Sequence, residues 1–409
     1  MREYRFAKLG CYAGSAAQAA VICLTSMLLV HFHDAYGISY TLLGLLAVFN
    51  FCSQLGIDLI FSFFSRHFDL ARTIRATPLL TIAGLGVYGF MPMLFPGQAY
   101  VWIVIGTILF SLGSGLTEVL LSPVIAAIPS EEPGKKMSRF HSVYAWGVVA
   151  TVVIDTLFLR VFSLEAWHWL ALLWMTLPAA SAIFFRIGEM PPLEAGLSSG
   201  KEKKTRPRGL ALFISCIFLG SCAENTMTQW CSGYVEKVLG FEKLFGDLIG
   251  VALFAVLLGM ARTLYGIKGG NISKVLLVSF FGATAMYLVA GLSGNEWVGL
   301  AACIACGFFV SMLWPGTLVW TEQINPASSV VVYALLAAGG DLGGSIAPQL
   351  MGSLTDWIAA SPFAENMAAS LQMTAEQVGL KGAMVLCALF PLLGIVLVTM
   401  MMKKLKTEV

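Results

Sequence analysis

The chain has 409 residues, of which 58% are hydrophobic and 12% charged, and its mean hydropathy is +0.81. This composition excludes a soluble globular domain, because much of the outer surface must be solvated by lipid. The formal net charge of +2 also argues against a nucleic-acid partner.

Apolar stretches of about 20 residues, the length that crosses a bilayer as a helix, recur twelve times, at 10–32, 40–64, 74–94, 100–128, 140–162, 167–185, 210–234, 248–267, 275–292, 297–320, 330–354 and 384–402. These runs are too long for strands and lack period-two alternation, whereas helices satisfy their own backbone groups as lipid requires. The expected fold class is therefore all-α integral membrane with 12 transmembrane helices. Arg2, Arg5 and Lys8, then Arg66, Arg72 and Arg75, then Lys135, Lys136 and Arg139, the run 201–208, and finally Lys403, Lys404 and Lys406 collect on one side. The opposite side has little beyond Arg160, Lys237, Lys243 and Lys381. The positive-inside rule then makes both termini cytoplasmic in a multi-pass bacterial inner-membrane protein. The basic start precedes a stretch too long for a cleaved signal, and it reads as the first membrane helix.

In chain order, the second span ends LGIDLIFSFFSRHF and the eighth LGMARTLYGIKGGN. Placing Ser62 on Gly266 sets Asp58 against Arg262, one charge in each half near a cytoplasmic end. The two are expected either in an inner gate or in local, snorkelling pairs.

The fourth span, GTILFSLGSGLTEVLLSPVIAAI, carries Glu118 alone among apolar residues. An ionised acid at the bilayer centre costs about 2.5 to 3.5 kcal/mol, so such a residue faces a cavity, finds a partner or takes a proton. Glu118 is the first candidate for proton coupling and for solute binding. After the sixth span, the polar segment GEMPPLEAGLSSGKEKKTRPR separates an N-terminal bundle, 1–187, from a C-terminal one, 209–409, through a linker at 188–208.

On the seventh span Glu224 is followed by Asn225, Gln229 and Trp230; amides one turn apart on a helix suit a polyhydroxylated solute, with the indole as a platform or an interfacial belt residue. On the tenth, Trp314-Pro315-Gly316 breaks the hydrogen-bond ladder, because proline has no N–H. That break can serve as a gate, with Trp314 in the cavity as a solute contact, or as a static kink with a packing tryptophan. The eleventh span holds Asp341, third in order as a coupling acid after Glu118 and Glu224, among Gly339, Gly340, Gly343 and Gly344, whose spacing allows close helix packing. Thr374 and Gln377 form a capping-box pattern.

Enzyme chemistry finds no support. Gly134-Lys135 continues into Lys136 rather than Ser or Thr, and neither a His-Glu-x-x-His nor a Gly-x-Ser-x-Gly motif occurs. No cofactor and no resident metal are expected, the five histidines being dispersed.

Two six-span halves joined by a polar linker resemble the major facilitator superfamily, whose halves are pseudo-symmetric and rock about a central site. Ser62, Ser65, Arg66 and His67 look like a worn Gly-x-x-x-Asp-Arg loop of that superfamily, both the Gly and the Asp being serine here, which implies a gating role for Arg66. Gly115-Leu-Thr-Glu118-Val-Leu-Leu-Ser122-Pro123, followed by Ser138-Arg139-Phe140-His141-Ser142-Val143-Tyr144, resembles the fucose permease branch of sugar:proton symporters. The resemblance implies proton coupling or substrate binding at Glu118 and sugar contacts at His141 and Tyr144. The acid that the branch places in its first helix falls on Ser26, so either Glu118 works alone, another acid substitutes, or the protein is an uncoupled facilitator. In the superfamily the first, fourth, seventh and tenth helices line the cavity, which favours Glu224 as the substitute.

The expectation is thus a secondary transporter that moves a small polar solute, a sugar or sugar derivative, by alternating access with proton symport. Its partners are the solute, protons and the lipid bilayer, and the chain acts as a monomer. The alternatives are a proton-driven exporter of drugs or organic cations and a non-transporting sensor.

Overall fold

The structure is a computed structural model that describes residues 4–64, 67–129, 133–191, 208–325 and 330–406. Arg66 and the side chain of His141 lie outside the described residues, as does most of the linker at 188–208. The described residues form helices and no strands. In chain order these are α1 (Arg5–Tyr36), α2 (Tyr40–Phe64), α3 (Leu70–Leu94), α4 (Ala99–Ala127), α5 (Pro133–Phe162), α6 (Trp167–Trp174), α7 (Thr176–Ile187), α8 (Leu210–Lys237), the short α9 (Lys243–Phe245), α10 (Ala252–Lys268), α11 (Ile272–Leu292), α12 (Glu296–Val310), α13 (Leu313–Ile324), α14 (Val330–Ala359), α15 (Pro362–Leu371), α16 (Ala375–Cys387) and α17 (Leu389–Lys406). Among the described residues, ten segments are long and apolar enough to cross a membrane. The two other expected spans, 140–162 and 330–354, fall on α5 and α14, helices of 30 residues each.

Three spans are divided in two, and proline explains each division. The turns at Met175, at Ser311 and Met312, and at Ala388 precede Pro178, Pro315 and Pro391 by about one helical turn. A proline cannot donate to the carbonyl four residues back, and its ring clashes with that carbonyl. The ladder therefore tightens: Met175 N–H donates to Leu172 O and Ala388 N–H to Val385 O, both at 3.2 Å.

The chain forms two compact units, Met1–His31 with Phe49–Lys201, and Phe32–Val48 with Glu202–Val409. In the first, Ser181 Oγ donates to Gly10 O at 2.8 Å and Trp174 Nε1 to the fully buried Asp155 at 2.7 Å, tying α1 to α7 and α5 to α6. Asp69 caps α3 by accepting from Arg72 N–H.

In the second unit, α14 lies against α8. Gly339 and Gly343 are the reason: a methyl at Gly343 would sit 2.4 Å from Phe218 O, so the small-residue stripe is spent on packing within this unit. The segment Phe32–Val48 belongs here too. Asp356 of α14 accepts from Thr41 N–H at 2.7 Å and Thr41 Oγ1 at 2.6 Å, capping the first turn of α2, while Lys237 pairs with Asp34 at 2.9 Å. The capping box expected at Thr374 and Gln377 is present at the start of α16.

Candidate functional site

Glu118 in the first unit and Glu224 in the second both stand inside spans, and their partners are opposite. In the first unit, Glu118 sits in the second half of α4 with its side chain exposed. Gln18 of α1 hydrogen-bonds its carboxylate, and Asp58 of α2 lies within electrostatic reach. Gly115 packs on the Gln54 and Ile57 segment of α2, which brings the two carboxylates' helices together. Asp58 is 7% exposed and therefore withdrawn beneath the surface that Glu118 shares. Among the described residues no Lys or Arg pairs with Glu118. Two like charges within electrostatic reach repel, and the repulsion disappears when one of them takes a proton.

A polar stripe supports this pair. Asn50, Gln54 and Asp58 recur at four-residue spacing, one face of α2; Asn50 Oδ1 accepts from Gln54 Nε2 at 3.2 Å and from Ser111 Oγ of α4 at 2.6 Å. Gln18 also borders a water-sized cavity of about 10 Å³. Hydroxyl residues Thr77, Thr81, Ser114 and Thr117 line it, and Ser114 Oγ has no protein partner. Sequence reasoning missed Gln18, Asn50 and Gln54. Their signal was a spacing of uncharged amides inside apolar runs, weaker than that of an acid.

In the second unit, Glu224 sits at the middle of α8 and accepts from Arg262 Nη2 of α10 at 2.8 Å. Arg262 Nε donates to Ser311 O at 3.0 Å. That carbonyl is the one left open by Pro315, so one guanidinium closes the break between α12 and α13 and neutralises Glu224. Of the two residues matched by the internal echo, Asp58 lies within electrostatic reach of Glu118 and Arg262 pairs with Glu224, each within its own unit.

The other candidates separate by environment. Trp314, half-buried at the start of α13, lies over Gly340 so closely that a methyl there would come 2.1 Å from the indole. Gly316 faces Ile272 and Leu276 of α11. Trp230 is 2% exposed, donates to Pro348 O at 3.1 Å and stands 5.7 Å from the Tyr40 ring, which makes it a packing post. Asn225 Nδ2 is occupied by Ser221 O and Oγ at 3.1 and 2.9 Å, while Gln229 is half-buried. Asp341 is 6% exposed in α14. Ser26, at 5%, bonds back to Cys23 O at 2.8 Å, and Tyr144 of α5 is half-buried.

A family model described as Major Facilitator Superfamily matches residues 11–348. Among solved structures the chain is similar to a D-xylose-proton symporter, at 16% identity over 94% of this chain and 96% of that one with a TM-score of 0.72. It is similar to the nucleoside transporter NupG at 11% identity, covering 95% and 99% with a TM-score of 0.69. It is similar to the fucose:proton symporter FucP of E. coli at 18% identity, covering 96% and 99% with a TM-score of 0.56. These likenesses carry the fold. No curated protein matches the chain by sequence.

Proposed function

The chain belongs to the Major Facilitator Superfamily and is a multi-pass membrane transporter rather than an enzyme, and from that premise we propose that it moves a sugar or sugar derivative by alternating access with proton symport. One observation carries the coupling: Glu118 is exposed inside a span, held by the Gln18 amide, beside Asp58 and, among the described residues, without a cation. In this reading a proton entering the Glu118 and Asp58 pair relieves their repulsion and lets Glu118 donate to a solute hydroxyl. Binding is reciprocal, so a solute favoured by the proton must itself hold the proton more tightly. Gln18 keeps the carboxyl turned toward the solute, and the break at Pro315 supplies the bend through which access alternates. Asp58, Arg66 and Arg262 act in gating, with His141 and Tyr144 as solute contacts. The excess of Lys and Arg on one side supports cytoplasmic termini in a bacterial inner membrane, and the chain works as a monomer.

The fucose and xylose symporters among the similar structures support the sugar class, although NupG is named for nucleosides. The test is uptake of radiolabelled D-xylose, L-fucose and sugar acids into proteoliposomes under an imposed pH gradient, with and without a protonophore. Accumulation that the protonophore abolishes supports symport; equilibration unaffected by it makes the protein a facilitator. An exposed, uncompensated acid inside a span also suits an organic cation. Proton-driven exchange of a lipophilic cation, with no sugar flux, would establish that second reading, and tight binding without counterflow would leave a sensor.

A further inference from the structure

Arg262 is only partly used by the protein. A guanidinium has five N–H donors in a planar fork. Nε donates to Ser311 O at 3.0 Å and one Nη2 hydrogen donates to Glu224 Oε1 at 2.8 Å. Among the described residues no acceptor takes the remaining three. The Arg262 side chain keeps 34% of its surface accessible, against 16% for Glu224, so it borders accessible space more than its partner does. Charged N–H groups without acceptors inside a membrane span are costly, and such positions mark ligand pathways.

With Nε pinned on Ser311 O, the guanidinium cannot turn its side edge to chelate Glu224, which touches it through one oxygen only; Glu224 Oε2 has no donor. Both Nη1 hydrogens and one Nη2 hydrogen thus remain, charged donors of the kind that hold a carboxylate.

We infer that these donors of Arg262 form the subsite for the carboxylate of a sugar acid, so that the carried solute is a hexuronate or aldonate rather than a neutral sugar. The inference rests on the symport reading for its coupling: Glu224 and Arg262 cancel, and one carboxylate travelling with one proton on Glu118 crosses without net charge.

The experiment is a thermal-shift titration of the purified full chain with D-glucuronate and D-gluconate beside D-glucose and D-xylose, followed by glucuronate uptake into proteoliposomes. The acids raise the melting temperature and the neutral sugars do not. Arg262→Lys, which keeps a charge opposite Glu224 but lacks the planar fork, weakens acid binding about tenfold or more. Should that variant fail to fold, Arg262→Gln with Glu224→Gln removes both charges together and gives the same loss. A pH gradient drives glucuronate uptake, and an inside-negative potassium diffusion potential leaves it unchanged. Stabilisation by neutral sugars without the acids, unchanged acid affinity in Arg262→Lys, or uptake that responds to the potential overturns the inference. The two readings fail separately: acid binding that requires Arg262, without pH-driven uptake, rejects symport and keeps the subsite, whereas pH-driven uptake of a neutral sugar alone keeps symport and rejects the subsite.

Discussion

Glu118 and Glu224 are the same residue type inside equivalent apolar runs, yet one faces an amide and a second acid while the other faces a guanidinium. The difference teaches that a membrane-embedded acid is defined by its partner. A carboxylate held by arginine keeps its charge and ties helices together. A carboxylate set beside another carboxylate has a reason to exchange protons.

Breaking the second arrangement is expected to have the largest effect. Arg262→Ala leaves Glu224 as an uncompensated charge within α8 and strands the Ser311 carbonyl, which should destabilise the protein by about 3 kcal/mol. A drop in melting temperature measures it, and adding Glu224→Gln should recover most of the loss. A double variant no more stable than the single would show that the pair contributes little. The first arrangement answers differently. Glu118→Gln keeps the hydrogen-bonding shape and removes the titrating proton, so pH-driven accumulation should fall about tenfold or more while solute counterflow survives. Equal loss of both would make Glu118 a binding residue without a coupling role.

Pro315→Ala returns an N–H to the Ser311 carbonyl, in competition with Arg262. It should raise the melting temperature, by about 1 kcal/mol of stability, and slow turnover several-fold. Turnover unchanged from the parent would remove Pro315 and Gly316 from gating. The smallest effect is expected from Asp58→Asn, which relieves repulsion at Glu118: stability should rise by about 0.5 kcal/mol or less, with a shifted pH profile of uptake. A clear loss of stability would mean that Asp58 is held by favourable partners and that the two acids are not a repelling pair.

The sequence made the spans, the isolated acids and the Pro315 break legible, because each is a local property of composition or backbone chemistry. The divisions at Pro178 and Pro391 obey the same rule, but both prolines lie inside or beside uniformly apolar runs where hydropathy shows no interruption. The partners of the acids were not legible. Asp58 and Arg262 correspond in the internal echo, which suggests a shared task, yet the close approach of α2 and α4 at Gly115 and the reach of Arg262 from α10 to α8 give each a different acid to meet. Gln18 carries no charge and stands among alanines, so only the fold brings it to Glu118. The same holds for Ser311: its part is played by a carbonyl, which every residue has.

The most direct measurement is an infrared pH titration of the substrate-free protein in lipid, reading the protonated-carboxyl band in the parent, Glu118→Gln and Glu224→Gln. The account predicts a titrating band that vanishes in Glu118→Gln and persists in Glu224→Gln. A band that survives in Glu118→Gln and is lost in Glu224→Gln would contradict it.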